Sequence, residues 1–189
     1  MENTNGKLSR IMPKHAYEVA ELHYTYTDSL LRDLGRRMCH VFYENAMKNE
    51  HMFGYVYIIE SKVVGFIIGT TDNSKIFGSF KVSLHIILSL LKNPHLLRKV
   101  LAHRKISSKG MPEALYSAVE REYRKRGIAF KLYKAVNNDF RRRGIRYMEG
   151  FVDSENKLAL IMCKFTGWKI KEKFNVNGKC LYRLYNLFD

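Results

Sequence analysis

Apolar positions along the chain recur in two rhythms, one spaced at three to four residues and one of near-continuous runs. Leu30, Leu34, Met38, Val41, Phe42 and Ala46 keep the first, which places them on one face of a helix. Thr27-Asp28 offers side-chain oxygens for an N-cap, so one amphipathic helix is expected to follow it. A short strand over 8–12, ended near Pro13, and a helix over 15–24 are expected before it. Residues 54–59 and 63–68 are β-branched and aromatic runs separated by Glu60-Ser61-Lys62, the pattern of an antiparallel hairpin with both faces covered. The helical rhythm returns between 73 and 109 through Leu84, Ile87, Leu88 and Leu91, breaks at Asn93-Pro94, and resumes at Leu97, Val100 and Leu101. That stretch is either a lid over a cleft or simply packed structure.

From residue 114 the pattern alternates strand, helix, strand, helix. A strand over 114–119 leads to a helix over 127–143 with Ile128, Leu132, Ala135, Val136 and Phe140 on one side. Gly144 fits the position just past its end, and the arginines before it complement the helix dipole. A strand over 147–153, a helix over 156–165 stopped by Gly167, and strands over 168–174 and 180–185 around Asn177-Gly178 complete the chain. Strands joined by a helix pair in parallel, whereas hairpins pair antiparallel. The expected fold is α/β (α+β): one domain over 1–189 built on a mixed β-sheet flanked by helices, with 73–109 as a helical insertion.

Charge narrows the partners. The 33 Lys+Arg exceed the 18 Asp+Glu, for a net charge of +15, which favours nucleic acid, anionic lipid or a phosphate-bearing ligand. Ten of those basic residues fall between Arg121 and Arg146, against Glu122 and Asp139, and a second basic run spans 98–109. A solvated, solubility-conferring surface explains such charge as well, so a site must choose among the anions. No zinc-ligand cluster, RNA-binding aromatic signature or helix-turn-helix pattern stands out, and nucleic acid is not an expected partner. The apolar stretch 82–91 is too short for a bilayer, which needs about 20 residues, so no transmembrane segment is expected. The 81–105 region is apolar on one side and basic around its ends, which leaves a membrane-surface role open. Cys39, Cys163 and Cys180 are widely spaced and odd in number, which suits a reducing, cytoplasmic setting without a disulfide framework. Scattered histidines and the lack of a Gly-x-Ser-x-Gly elbow argue against zinc and serine-nucleophile chemistry.

The chemistry-bearing segment is Val119-Glu120-Arg121-Glu122-Tyr123-Arg124-Lys125-Arg126-Gly127-Ile128-Ala129. A strand ends, a basic turn follows, and small residues open a helix whose first N–H groups and dipole favour an anion. Glycine and alanine at alternate positions let the backbone approach a diphosphate closely. The string is neither a P-loop nor a dinucleotide fingerprint, which need other glycine spacings. Its repeat at Arg141-Arg142-Arg143-Gly144-Ile145 lies where a helix ends, offers carbonyls rather than N–H groups, and reads as a cap.

Here the sequence resembles the GNAT N-acetyltransferase superfamily. The segment from Val119 to Ala129 is similar to its acyl-CoA signature, a strand followed by Arg/Gln-x-x-Gly-x-Gly/Ala, and Asn156, Ala159 and Gly167-Trp168 match a downstream pattern in register. The element order over about 7–185 fits the family fold, in which a central parallel pair of strands splays apart. The resemblance implies transfer of an acetyl group from acetyl-CoA, with no metal, to a primary amine of a small molecule such as an amino sugar or nucleotide-linked amine. A catalytically weak acyl-CoA sensor and a protein or peptide acetyltransferase are the alternatives, and both monomer and homodimer fit. It also implies that backbone amides of Arg124, Lys125, Arg126, Gly127, Ile128 and Ala129 hold the pyrophosphate, that the pantetheine lies along Ala118 and Val119, and that Asn156 contacts it or the helix start. The Val119 N–H would polarise the thioester carbonyl. An acceptor ammonium with a pKa near about 10.4 must lose a proton, and Glu113 matches a general base used by some members. Where the family often has a tyrosine to protonate the departing thiolate, this chain has Cys163. Either Cys163 substitutes, another tyrosine such as Tyr182 reaches in, or no acid is used.

Overall fold

The computed structural model describes residues 6–106, 108–176 and 178–188. In chain order it runs β1 (Lys7–Arg10), α1 (Ala16–Tyr26), α2 (Leu30–Asp33), α3 (Arg36–Ala46), β2 (Met52–Ile59) and β3 (Lys62–Thr70). Next come α4 (Phe80–Lys92), α5 (Leu96–Ile106), β4 (Glu113–Val119), α6 (Ile128–Arg142), β5 (Tyr147–Asp153), α7 (Lys157–Phe165), β6 (Lys169–Val176) and β7 (Lys179–Leu187). The strands form one seven-stranded sheet in the order β1-β2-β3-β4-β5-β7-β6. Every neighbouring pair is antiparallel except β4 and β5. This is the mixed α/β sheet the alternating pattern predicts.

Two cores sandwich the sheet. On one face α1 and α3 bring Val19, Met38, Phe42 and Tyr43 onto Val56 and Phe66. On the other, α6 lays Leu132, Val136 and Phe140 over Ile67 and Met148, joined by Trp168. The β-rich runs 54–59 and 63–68 read as doubly covered because they are central strands, and all but Ile58 of those residues are buried.

One expectation needs correction. The single helix after Thr27-Asp28 is two helices, with Thr27 closing α1 and Ser29 capping α2 by accepting the Arg32 N–H at 3.1 Å. Gly35, at φ +103°, then turns the chain before α3, a conformation that the apolar spacing alone does not register. The Asn93-Pro94 break falls between α4 and α5 as expected. Gly178 has φ +79°, while Asn177 of the expected turn lies outside the described residues.

Candidate functional site

The site grows from a defect in the sheet. β4 matches β5 only at Glu113↔Glu149 and Ala114↔Gly150. Along β3 the register steps from Ile68↔Tyr116 to Gly69↔Ala114, so Leu115 is an extra residue, a bulge that bends β4. Beyond it β4 and β5 part. The Glu120 N–H donates to the Val64 carbonyl at 2.9 Å on the β3 side. Strand alternation therefore turns the N–H groups of Val119 and Ser117 away from β3, into the gap facing β5. The Val119 carbonyl at the same edge accepts from Arg124 Nε at 3.0 Å.

Just past the strand, the backbone forms a concave turn, the candidate anion cradle. Lys125 has φ +63° and Gly127 φ +73°, left-handed positions on either side of Arg126 that turn successive N–H groups toward one concavity. Gly127 is the N-cap of α6, and a Cβ there would meet nothing within 4 Å, so its need for glycine is conformational. Among the described residues, no protein acceptor takes the N–H groups from Lys125 to Phe130. These donors lie at the positive end of a fifteen-residue helix on an exposed loop, so their ordinary partner is water or a bound anion. Arg124 and Arg126 are braced by Tyr26 and Tyr123, with guanidinium-to-ring distances of 5.5 and 5.2 Å.

Comparison with known proteins speaks to what this frame is. The sequence model of the acetyltransferase (GNAT) family matches residues 16–168. The chain belongs to that family. No curated protein matches the chain. Among solved structures it is similar to an N-acetyltransferase from Staphylococcus aureus Mu50, at 20% identity and TM-score 0.65, over 95% of this chain and 99% of that one. A GNAT-family acetyltransferase from Streptococcus pneumoniae shares 14% identity at TM-score 0.64, covering 98% and 100%. The PaiA N-acetyltransferase from Thermoplasma acidophilum, solved in complex with coenzyme A, shares 10% identity at TM-score 0.63, covering 97% and 99%. These distant likenesses establish the GNAT fold, and family membership supports acetyl transfer to an amine in general.

Within this GNAT frame, the residues singled out from sequence fall in three places. Val119, half-buried, and Ala118, buried, close the wide end of the gap, next to the cradle of residues 124–129. Glu113 sits at the opposite end of β4, about 20 Å from Val119 at the usual strand rise of about 3.3 Å per residue. Its carboxylate accepts from Asn73 Nδ2 at 2.9 Å and faces Glu149 across the parallel pair. Burial pushes Glu113 up to about 7, with Glu149 adding to the rise against the Asn73 hydrogen bond. Glu149 is buried yet held below the usual carboxylate range by hydrogen bonds from Lys171 at 2.8 Å and Tyr147 at 2.6 Å. The two carboxyls thus take opposite protonation tendencies.

Cys163, on α7, is buried among the α6-side core and burial pushes its thiol up to about 11. Tyr133 on α6 is close enough to influence its titration, and the Tyr133 hydroxyl is 3.2 Å from Ser117 Oγ on β4. Burial raises the Tyr133 phenol as well. Asn156 serves the start of α7, its Oδ1 accepting the Ala159 N–H at 3.1 Å. Tyr182, the other tyrosine considered, is on β7 opposite Val152.

Three contributors escaped the sequence reading. Ser117 and Tyr133 emerge only when α6 is laid over β4. Asn73 accepts the Gly110 and Met111 N–H groups at 2.9 and 3.3 Å while donating to Glu113, so one side chain ties the end of the α4–α5 excursion to the candidate base. The helix period offers a weak signal for Tyr133, which shares α6 with Ala129 and Val136 at four- and three-residue spacing.

Proposed function

We propose that the protein is an acetyl-CoA-dependent N-acetyltransferase acting on a primary amine of a small molecule by direct attack. The observation that carries the reading is two nearby sets of backbone amides without a protein acceptor among the described residues, those of 125–130 at the start of α6 and those of Ser117 and Val119 facing the β4–β5 gap. A diphosphate fits the cradle because several N–H groups converge there without side-chain obstruction at Gly127. Bound acetyl-CoA supplies an activated thioester; the chain's own residues do the rest. The N–H groups of Lys125 to Ala129 hold the phosphates, that of Arg124 being taken instead by the Arg121 carbonyl at 3.4 Å, and Ala118 gives the pantetheine a small, apolar wall. The N–H of Val119, with that of Ser117 deeper in the gap, donates to the carbonyl oxygen as negative charge develops on it.

Glu113 accepts the amine proton. Its distance from Val119 requires that this happen through intervening water rather than by contact with the acetyl-bearing end of the strand. Cys163 or the neighbouring Tyr133 stands as the proton source for the departing thiolate, a phenol hydroxyl being in general a better hydrogen-bond donor than a thiol. The test is release of free CoA thiol from acetyl-CoA in the presence of amino sugars, nucleotide-linked amino sugars, polyamines, amino acids and peptides. Turnover with a small primary amine is the expected result. Turnover confined to peptides would move the acceptor to proteins, and none across the panel would reject the enzyme reading.

A further inference from the structure

Helix α4 is apolar on two sides that meet different surroundings. Val82 is buried, and Ile86 and Leu90 pack against the same core. Phe80, Leu84, Ile87, Leu88 and Leu91 are exposed instead, Phe80 by 82% and Leu91 by 72%. These five recur at i, i+4, i+7, i+8 and i+11, one continuous stripe about 16 Å long at about 1.5 Å per residue. Lys81, His85 and Lys92 line one edge of it at about 100° per residue. Exposed Leu97 and Leu101 on α5, beside Arg98, extend the apolar surface. Residues 73–112 contain eight Lys or Arg and no Asp or Glu. Lys81 and Lys99 reach Glu44 and Asp33 at 3.3 and 2.6 Å, whereas Lys92 and Arg98 have no carboxylate partner among the described residues.

We propose that the exposed face of α4 and α5 docks on an anionic lipid bilayer, with the stripe among the acyl chains and the basic edge at the headgroup phosphates. Charge chooses this occupant over a second copy of the chain: two such segments, each carrying eight basic residues and no acid, repel one another, while an anionic leaflet attracts them. Length fixes the mode. α4 has thirteen residues, short of the roughly 20 needed to span, and among the described residues no helix is long and apolar enough to cross a membrane. The helix therefore lies in the surface.

Vesicle sedimentation tests this without acetyl-CoA, so the result stands apart from the acetyl-transfer reading. The full chain is mixed with phosphatidylcholine vesicles containing about 30% phosphatidylserine, and with phosphatidylcholine alone. Expected are retention on the mixed vesicles, roughly tenfold weaker retention on the neutral ones, and a roughly tenfold loss in Phe80→Ser/Leu91→Ser. Lys134→Glu, on α6, removes basic charge elsewhere and keeps retention within about twofold. Both α4 substitutions are at exposed positions, so an unchanged melting curve is part of the expected result. No retention, equal retention on both vesicles, or retention unaffected by Phe80→Ser/Leu91→Ser overturns the proposal. Concentration-dependent dimerisation abolished by that variant, without vesicle retention, overturns it in favour of a second copy.

Discussion

At the scale of the residue, Glu113 and the Tyr133–Cys163 pair carry the sharpest consequences. A base works only when deprotonated, so with Glu113 near pH 7 the value of kcat/KM rises with pH up to about 7 and levels above it. Glu113→Gln should abolish that limb and lower kcat/KM by about 10²-fold, as read from rate profiles between pH 5.5 and 9. Tyr133→Phe should lower kcat while leaving the affinity for acetyl-CoA unchanged, since the removed hydroxyl lies at Ser117 Oγ rather than at the cradle. If Cys163→Ala slows turnover and Tyr133→Phe does not, the thiol is the acid. Glu113 and Cys163 stand out in the sequence only as single letters. Their surroundings do not, because Asn73 and Tyr133 approach from elements 40 and 30 residues away in the chain. Spacing within a segment reports one face of one element and nothing of what another lays over it.

At the scale of the element, the proposed binding of acetyl-CoA turns on the passage from β4 into α6. Gly127 and Gly144 are both left-handed, at φ +73° and +72°, and both stand in open space. Substituting alanine at either costs about 1–2 kcal/mol from the backbone conformation alone. Each variant should melt roughly 2–8 °C lower. Only Gly127→Ala should also weaken acetyl-CoA binding, several-fold in a titration, because Gly144 ends α6 at its carbonyl end. Equal affinities in the two variants would remove the cradle from the account. This element was the most legible part of the site, since a strand, a basic turn and a glycine before an amphipathic helix are local signals. The gap beside it was not. It arises from the Leu115 bulge, and register between strands is set by pairing, which one strand's sequence does not encode.

At the scale of the whole molecule, charge and burial act together. Part of the basic surplus read from 121–146 is structural: Asp139 is buried, ion-paired with Arg10 at 3.0 Å and Arg143 at 3.5 Å, and Arg143 stacks over Phe53 at 4.2 Å. Counting charges along the chain does not separate such packing from a ligand site. Acid stability follows from two desolvated groups whose shifts have opposite sign. His23, hydrogen-bonded to Tyr43 at 2.8 Å and Ser29 at 2.6 Å, is pushed down to about 3 by burial. Its contribution is present above the unfolded value of about 6.5 and is lost as pH falls toward 3, by about 1.4 kcal/mol per pH unit. Glu113, raised instead, favours the fold as pH falls from about 7 to the unfolded 4.5 and so offsets that loss. Chemical denaturation should therefore show little change from these groups between pH 6.5 and 4.5 and a decline below, to which Glu149 adds. In Glu113→Gln the decline should begin near pH 6.5; an unshifted onset would contradict the burial assigned to Glu113.

The central claim is that backbone amides around Gly127 hold the phosphates of a coenzyme whose thioester end enters the gap between β4 and β5. Titration calorimetry of acetyl-CoA into the purified protein tests it most directly. The account predicts saturable uptake of one acetyl-CoA per chain, with 3′,5′-ADP a weaker competitor because it lacks both the pyrophosphate and the pantetheine. No heat and no saturation with acetyl-CoA or CoA would contradict it.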